Sequence, residues 1–181
     1  MILKSLAGVG YGSAYAGDLD AAMRATDELA QIGERTGSRR ASSLAHAIRA
    51  VTAYIAGETY AVSEGELAIA VANEPVYLEF GRAILLHGHT GFAHVDEAVT
   101  TAEQCHQFVA QNRTELFGVS NAPAEALVCL LKGDLGTGMT LLERSTGLGG
   151  FLRHTLRDLP GRYLRQDGYP GNRRPSWCSR P

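Results

Sequence analysis

The chain reads as an all-α protein, an α-solenoid of about four antiparallel helix-turn-helix hairpins followed by a short C-terminal helix. Three observations predict this. A glycine-turn motif returns along the chain, the segments between its copies carry apolar residues at helical spacing, and polar or breaker clusters separate one hairpin from the next.

The repeat is the strongest of the three. Gly17-Asp18-Leu19-Asp20-Ala21-Ala22 stands 40 residues before Gly57-Glu58-Thr59-Tyr60-Ala61-Val62, and Gly133-Asp134-Leu135-Gly136-Thr137-Gly138 stands 76 residues after that. A copy midway is supplied by the segment from Gly91 to Ala98, read with two extra residues after its glycine. Each glycine suits the left-handed backbone conformation that stops a helix. Asp18, Glu58 and Asp134 follow three of the four glycines and suit the start of the next helix, where free N–H groups point outward. Ala22, Val62, Ala98 and Gly138 are small enough for two helices to approach closely.

The elements follow in order. Helix 3–16 pairs with 18–34, 41–56 with 59–72, 76–89 with 93–111, and 115–132 with 135–146. Thr36-Gly37-Ser38, Asn73-Glu74-Pro75 and Asn112-Arg113-Thr114 mark the cuts between hairpins. The second helix shows the periodicity best, with Leu19, Ala22, Met23, Leu29 and Ile32 on one side and Asp20, Asp27, Glu28 and Glu34 left for solvent. In the fourth hairpin Pro123 is expected to separate residues 115–122 from a helix that starts near the proline. Gly136 and Gly138 each cost about 1 kcal/mol relative to alanine inside a helix, so this hairpin is expected to fray first. The domain reading is a repeat region over 1–147, a short capping helix over 148–166, where Leu152, Leu156, Leu159 and Tyr163 share a face, and a basic, disordered tail over 167–181.

The motif A-x-x-G-D-L-x-x-A, best kept in Ala14-Tyr15-Ala16-Gly17-Asp18-Leu19-Asp20-Ala21-Ala22, resembles tetratricopeptide repeats. The longer spacing is similar to that of the looser arrays in large bacterial signalling ATPases, nucleotide cyclases and LuxR-type regulators. The resemblance implies a right-handed α-solenoid that binds a protein or peptide on the concave face lined by the first helix of each hairpin. Laid on this sequence, that lining comprises Tyr11, Tyr15, Tyr54, Tyr77, Phe80 and His87. Aromatic side chains anchor partners well because they offer large area at low entropy cost; the competing role for each is packing between repeats. A terminal repeat without a polar cap would expose apolar surface, which leads to the expectation of self-association, docking or a longer parent protein, the repeat segment of a signalling or regulatory protein. A small-molecule sensor segment is the alternative.

Composition narrows the function classes. Residues 1–150 hold 10 Lys and Arg against 17 Asp and Glu, whereas 151–181 hold 7 Arg against 2 Asp. The acidic body opposes phosphate, so nucleic acid is not an expected partner despite the basic tail. Apolar runs are too short to span a bilayer, and three scattered cysteines without a C-x-x-C pair suit a reducing compartment, so a cytoplasmic, membrane-free protein is expected. His87, His89, His94 and His106 lie near Asp96, Glu97 and Cys105, but His87 and His89 diverge by ~200° on a helix and no H-x-x-x-H pair exists, so no metal site is expected. The glycine clusters at 7–13 and 133–140 lack a preceding strand and a phosphate-gripping lysine respectively. Cys105 and Cys129 read as small buried thiols, and Arg39-Arg40-Ala41-Ser42 as a solvated corner rather than a phosphorylation site. With no nucleophile elbow or cysteine signature, neither an enzyme nor a cofactor is expected.

Overall fold

Four turns of one design organise the structure. The computed structural model describes residues 2–112 and 115–146, which form eight helices and no strand. In chain order these are α1 (Ile2–Ala16), α2 (Leu19–Thr36), α3 (Arg39–Ala56), α4 (Ala61–Val71), α5 (Pro75–Gly91), α6 (Val95–Asn112), α7 (Glu115–Leu131) and α8 (Leu135–Thr146). Residues 1–147 make up one unit. The capping helix expected over 148–166 and the tail over 167–181 lie outside the described residues.

Helices α1, α3, α5 and α7 all end the same way. Gly17, Gly57, Ala93 and Gly133 sit in the left-handed region with φ of 84°, 81°, 59° and 82°. Their N–H groups donate to the carbonyls of Ala14, Tyr54, Thr90 and Leu130, three residues back, at 3.0, 3.0, 3.2 and 3.0 Å. The next residue in each turn donates five residues back, to Ser13, Ala53, His89 and Cys129, at 2.9, 2.9, 2.8 and 2.8 Å. Paired bonds of this kind satisfy carbonyls that a helix end leaves open.

This pattern corrects the reading of the third copy. Its left-handed residue is Ala93, not Gly91, and there is no two-residue insertion. Counted between left-handed residues the turns recur at 40, 36 and 40. Gly91 instead ends α5, where a side chain would collide with the Tyr54 ring. Ala98 then falls five residues after the turn, as Ala22 and Gly138 do; Ala22 and Ala98 are fully buried. A Cβ at Gly138 would stand 3.1 Å from the Ala126 carbonyl, so its glycine serves close packing of α7 on α8.

The second hairpin departs from the others. Asp18 and Asp134 accept hydrogen bonds from the N–H groups of Ala21 and Thr137 at 2.9 and 3.1 Å, but Glu58 caps nothing. Two turn residues intervene and α4 begins only at Ala61, so buried Ala61 takes the place expected of Val62, which is half-buried. Pro123 does not divide α7, which runs unbroken from Glu115 to Leu131. The proline removes one N–H, but Ala122, Ala124, Ala126 and Val128 around it are buried, and that packing holds the helix together.

Each helix packs on the next in sequence, and the odd-numbered helices also pack on one another, α1 on α3, α3 on α5 and α5 on α7. No comparable row joins the even-numbered helices among the described residues. α3 therefore lies between four neighbours and is made of small residues; Ala41, Ala45, Ala47, Ala50 and Ala53 are all buried. Gly10 lets α1 close on Ile48, and Gly81 lets α5 close on Ile69. Among the described residues no helix is long and apolar enough to cross a membrane.

Candidate functional site

The odd-numbered helices carry the six aromatic and histidine residues singled out above, and five of them form one row. Tyr11 of α1 stacks on Phe80 of α5, ring centroids 6.2 Å apart and planes inclined by 26°. One turn on, Tyr15 stands close enough to Tyr54 of α3 for Tyr54 to bear on the ionisation of Tyr15. Tyr54 is tilted against His87 of α5 at 6.3 Å. Burial, reinforced by Tyr54, pushes the Tyr15 phenol up to about 12, and burial with Tyr15 nearby pushes Tyr11 higher still. Both phenols are thus neutral hydrogen-bonding groups on an apolar surface.

The row is uneven in exposure. Phe80 is 37% exposed, and the others are half-buried. Tyr11 and Tyr15 also pack against the core cluster of Ala14, Ala47, Ala50, Val51 and Ile84, so the packing role and the presenting role coexist in one side chain. The Tyr11 hydroxyl is buried without a hydrogen-bond partner. Tyr77 is placed differently: the Arg40 guanidinium lies over its ring at 5.2 Å. Arg40 also bonds Glu74 at 2.6 Å, and Arg39 donates to the Val71 carbonyl at 2.9 Å, so the two arginines, while still open to solvent, staple the start of α3 to the end of α4 and the α4–α5 turn. Ser42 is half-buried there, with Oγ donating to the Ser38 carbonyl and Gly33 pressed against it.

The histidines do not converge. His89 and His94 face each other at 5.7 Å, with burial first and His94 second holding the His89 imidazole below its ordinary value. His46 Nδ1 lies 2.8 Å from Glu64, which also approaches Arg49. His106 stands apart, with Nε2 2.8 Å from Glu125.

That last pair leads to a site the sequence reading missed. Leu86 of α5, Ala98 of α6 and Ala124 and Val128 of α7 pack in one layer. Seven residues from Leu86, Ala98 and Val128, two turns away along each helix, lie Glu79, Cys105 and Asn121. Because α6 runs opposite to its neighbours, these steps lead to the same level. Glu79 and Cys105 are completely buried and Asn121 is 1% exposed. Arg82 Nη1 stands 3.5 Å from Glu79. The Cys105 thiol lies beside Glu79, and burial followed by the Glu79 charge pushes that thiol far up. Burial also raises the Glu79 carboxyl above the ordinary carboxylate range. Glu125, one turn past Asn121, is buried with its Oε1 unpartnered. Cys105 is thus the buried thiol expected, but beside polar groups, whereas Cys129 is half-buried. The signal that could have found the cluster is the heptad step from an apolar layer to Glu79 and Asn121, together with Glu125 four residues further on.

Comparison with known protein families, curated proteins and solved structures gives no match for this chain.

Proposed function

We propose that this chain is a non-catalytic protein-interaction scaffold, a tetratricopeptide-like α-solenoid of right-handed twist whose odd-numbered helices line the concave face. The row of contacts along α1, α3, α5 and α7, without its counterpart among the even-numbered helices, supports that curvature. The observation that carries the reading is the aromatic row from Phe80 through Tyr11, Tyr15 and Tyr54 to His87, which crosses three helices and includes a buried hydroxyl without a partner. A protein or peptide segment laid across it gains rigid aromatic contacts, and a turn of the Tyr11 ring toward that segment gives the buried hydroxyl the hydrogen bond that the free protein lacks. The setting that fits is a cytoplasmic signalling or regulatory assembly, in keeping with the arrays this motif resembles.

Selection from a displayed random-peptide library tests the reading. The expected result is a consensus whose binding falls about tenfold or more in Tyr54→Ala and Phe80→Ala and weakens in Tyr11→Phe. Absence of a consensus, or a consensus indifferent to all three changes, contradicts it. The second reading, a small-molecule sensor, is favoured by one specific observation, the polar interior around Glu79 and Asn121. Its test is thermal shift against a metabolite panel; a ligand that raises the melting point by linkage supports it and a flat panel counts against it.

A further inference from the structure

We propose that the interior cluster between α5, α6 and α7 is a binding site for a small organic cation bearing N–H donors, an ammonium or a guanidinium group. The inference goes beyond the scaffold reading and uses none of the aromatic row.

The unfilled hydrogen-bonding capacity is specific in kind. Glu79 Oε1 and Oε2, Asn121 Oδ1 and Nδ2, and Glu125 Oε1 are buried with no well-formed hydrogen bond, although Arg82 and the Cys105 thiol approach Glu79. Four of these five atoms accept and one donates, so the missing complement is rich in donors. The charge agrees with that. Two buried carboxylates have weak cationic cover: Arg82 meets Glu79 at 3.5 Å without making a well-formed hydrogen bond, and Glu125 has only the largely exposed His106 imidazole, at 2.8 Å from its other oxygen. A carboxylate removed from water is costly unless it is both paired and hydrogen-bonded, so a donor-rich cation meets the needs of Glu79 and Glu125 together.

Asn121 points independently to a ligand. Its amide is 1% exposed and both polar atoms are unsatisfied, although on geometric grounds a buried amide is normally bonded on both sides. A primary ammonium or guanidinium donates to Oδ1 and leaves Nδ2 for the other carboxylate or a carried water. Coordination of a metal ion fits less well, because no three His, Cys, Asp or Glu side chains among the described residues take up metal-binding geometry. The His106–Glu125 pair stands between the cluster and solvent, the His106 side chain 62% exposed and the Glu125 side chain 7%.

The experiment is thermal unfolding and calorimetric titration of the full chain with putrescine, agmatine, methylguanidinium and an arginine-containing tripeptide. Tetramethylammonium and sodium chloride at matched ionic strength are the controls. The expected result is a melting-point rise of about 3 °C or more with the N–H cations at saturation and none with tetramethylammonium, which has the charge but no donor. Glu79→Gln and Asn121→Leu, checked for retained helicity, abolish the rise; if Glu79→Gln does not fold, Glu125→Gln at the rim takes its place. A response to the free amines assigns the site to a small molecule, and a response to the tripeptide alone assigns it to a basic side chain of a partner; both support the cation site. A flat response to every N–H cation, an equal response to tetramethylammonium, or a rise that survives in both variants overturns it.

Discussion

The helices α1–α4 and the helices α5–α7 share one turn design and bury opposite kinds of interior. In the first region the buried polar groups of Thr26, Ser43 and Thr52 each donate to a backbone carbonyl, at 2.9, 2.9 and 2.8 Å, inside a core of alanine, leucine and isoleucine, and among its described residues the Tyr11 hydroxyl alone is a buried side-chain polar atom left unbonded. In the second region Glu79, Asn121 and Glu125 leave five polar atoms unbonded. The difference teaches that the hairpin frame is set by its turns and small-residue contacts, which leaves the interior between odd-numbered helices free to be specialised.

The largest effect that can break this comparison lies in the first region. Ile48 is fully buried against Gly10, so Ile48→Ala is expected to lower unfolding free energy by about 2–5 kcal/mol in urea titration. A loss below about 1 kcal/mol would mean that α1–α4 is not the tightly packed half.

The pH dependence separates the regions next. Burial holds the Glu79 carboxyl above its ordinary value, with Arg82 and the Cys105 thiol facing it and Glu125 across Cys105. The folded state therefore binds that proton more tightly than the unfolded chain does. Its contribution is fully present below the unfolded carboxylate value and is lost as pH rises through the folded value. Stability measured against Glu79→Gln should fall with rising pH in the parent and lack that component in the variant. His89 has the opposite sign: held neutral by burial, it contributes above the ordinary histidine value and loses that contribution as pH drops through its lowered one. A profile of Glu79→Gln that overlays the parent would sink the carboxylate assignment.

Smaller still are the turns. Ala93 occupies a left-handed conformation that its three counterparts give to glycine, so Ala93→Gly is expected to gain about 1 kcal/mol and Gly17→Ala to lose about as much. Differential scanning calorimetry should then show melting points displaced in opposite directions. The smallest effect is at the aromatic row, where Tyr11→Phe removes a buried hydroxyl that bonds nothing. Stability should stay level or rise by up to about 1 kcal/mol even as peptide binding weakens.

The all-helical class, seven of the eight helices nearly to their ends, and three of the four turn residues were legible in the sequence because glycine at a helix end has a local physical cause. Ala93 was not legible, since nothing in an alanine announces a positive φ; only the pair of bonds from Ala93 and His94 reveals it. Continuity through Pro123 was hidden for a related reason: it depends on burial against neighbouring helices, which no local propensity encodes. Of the proposed lining, Tyr11, Tyr15, Tyr54, Phe80 and His87 come together as a row, whereas Tyr77 is covered by Arg40 from a different helix. Glu79 and Asn121 escaped notice, and Cys105 was read only as a buried thiol, because each looks ordinary on its own helix and they come to one level only through a register shared by three.

The central claim is that the polar interior of α5–α7 exists for something other than stability, and urea unfolding of the double variant Glu79→Met, Asn121→Leu without any added cation tests it most directly. Replacing buried, unsatisfied polar groups by apolar ones of similar volume should raise the unfolding free energy by about 1–4 kcal/mol. A double variant that folds but is less stable than the parent would contradict the claim and make the cluster a structural part of the core.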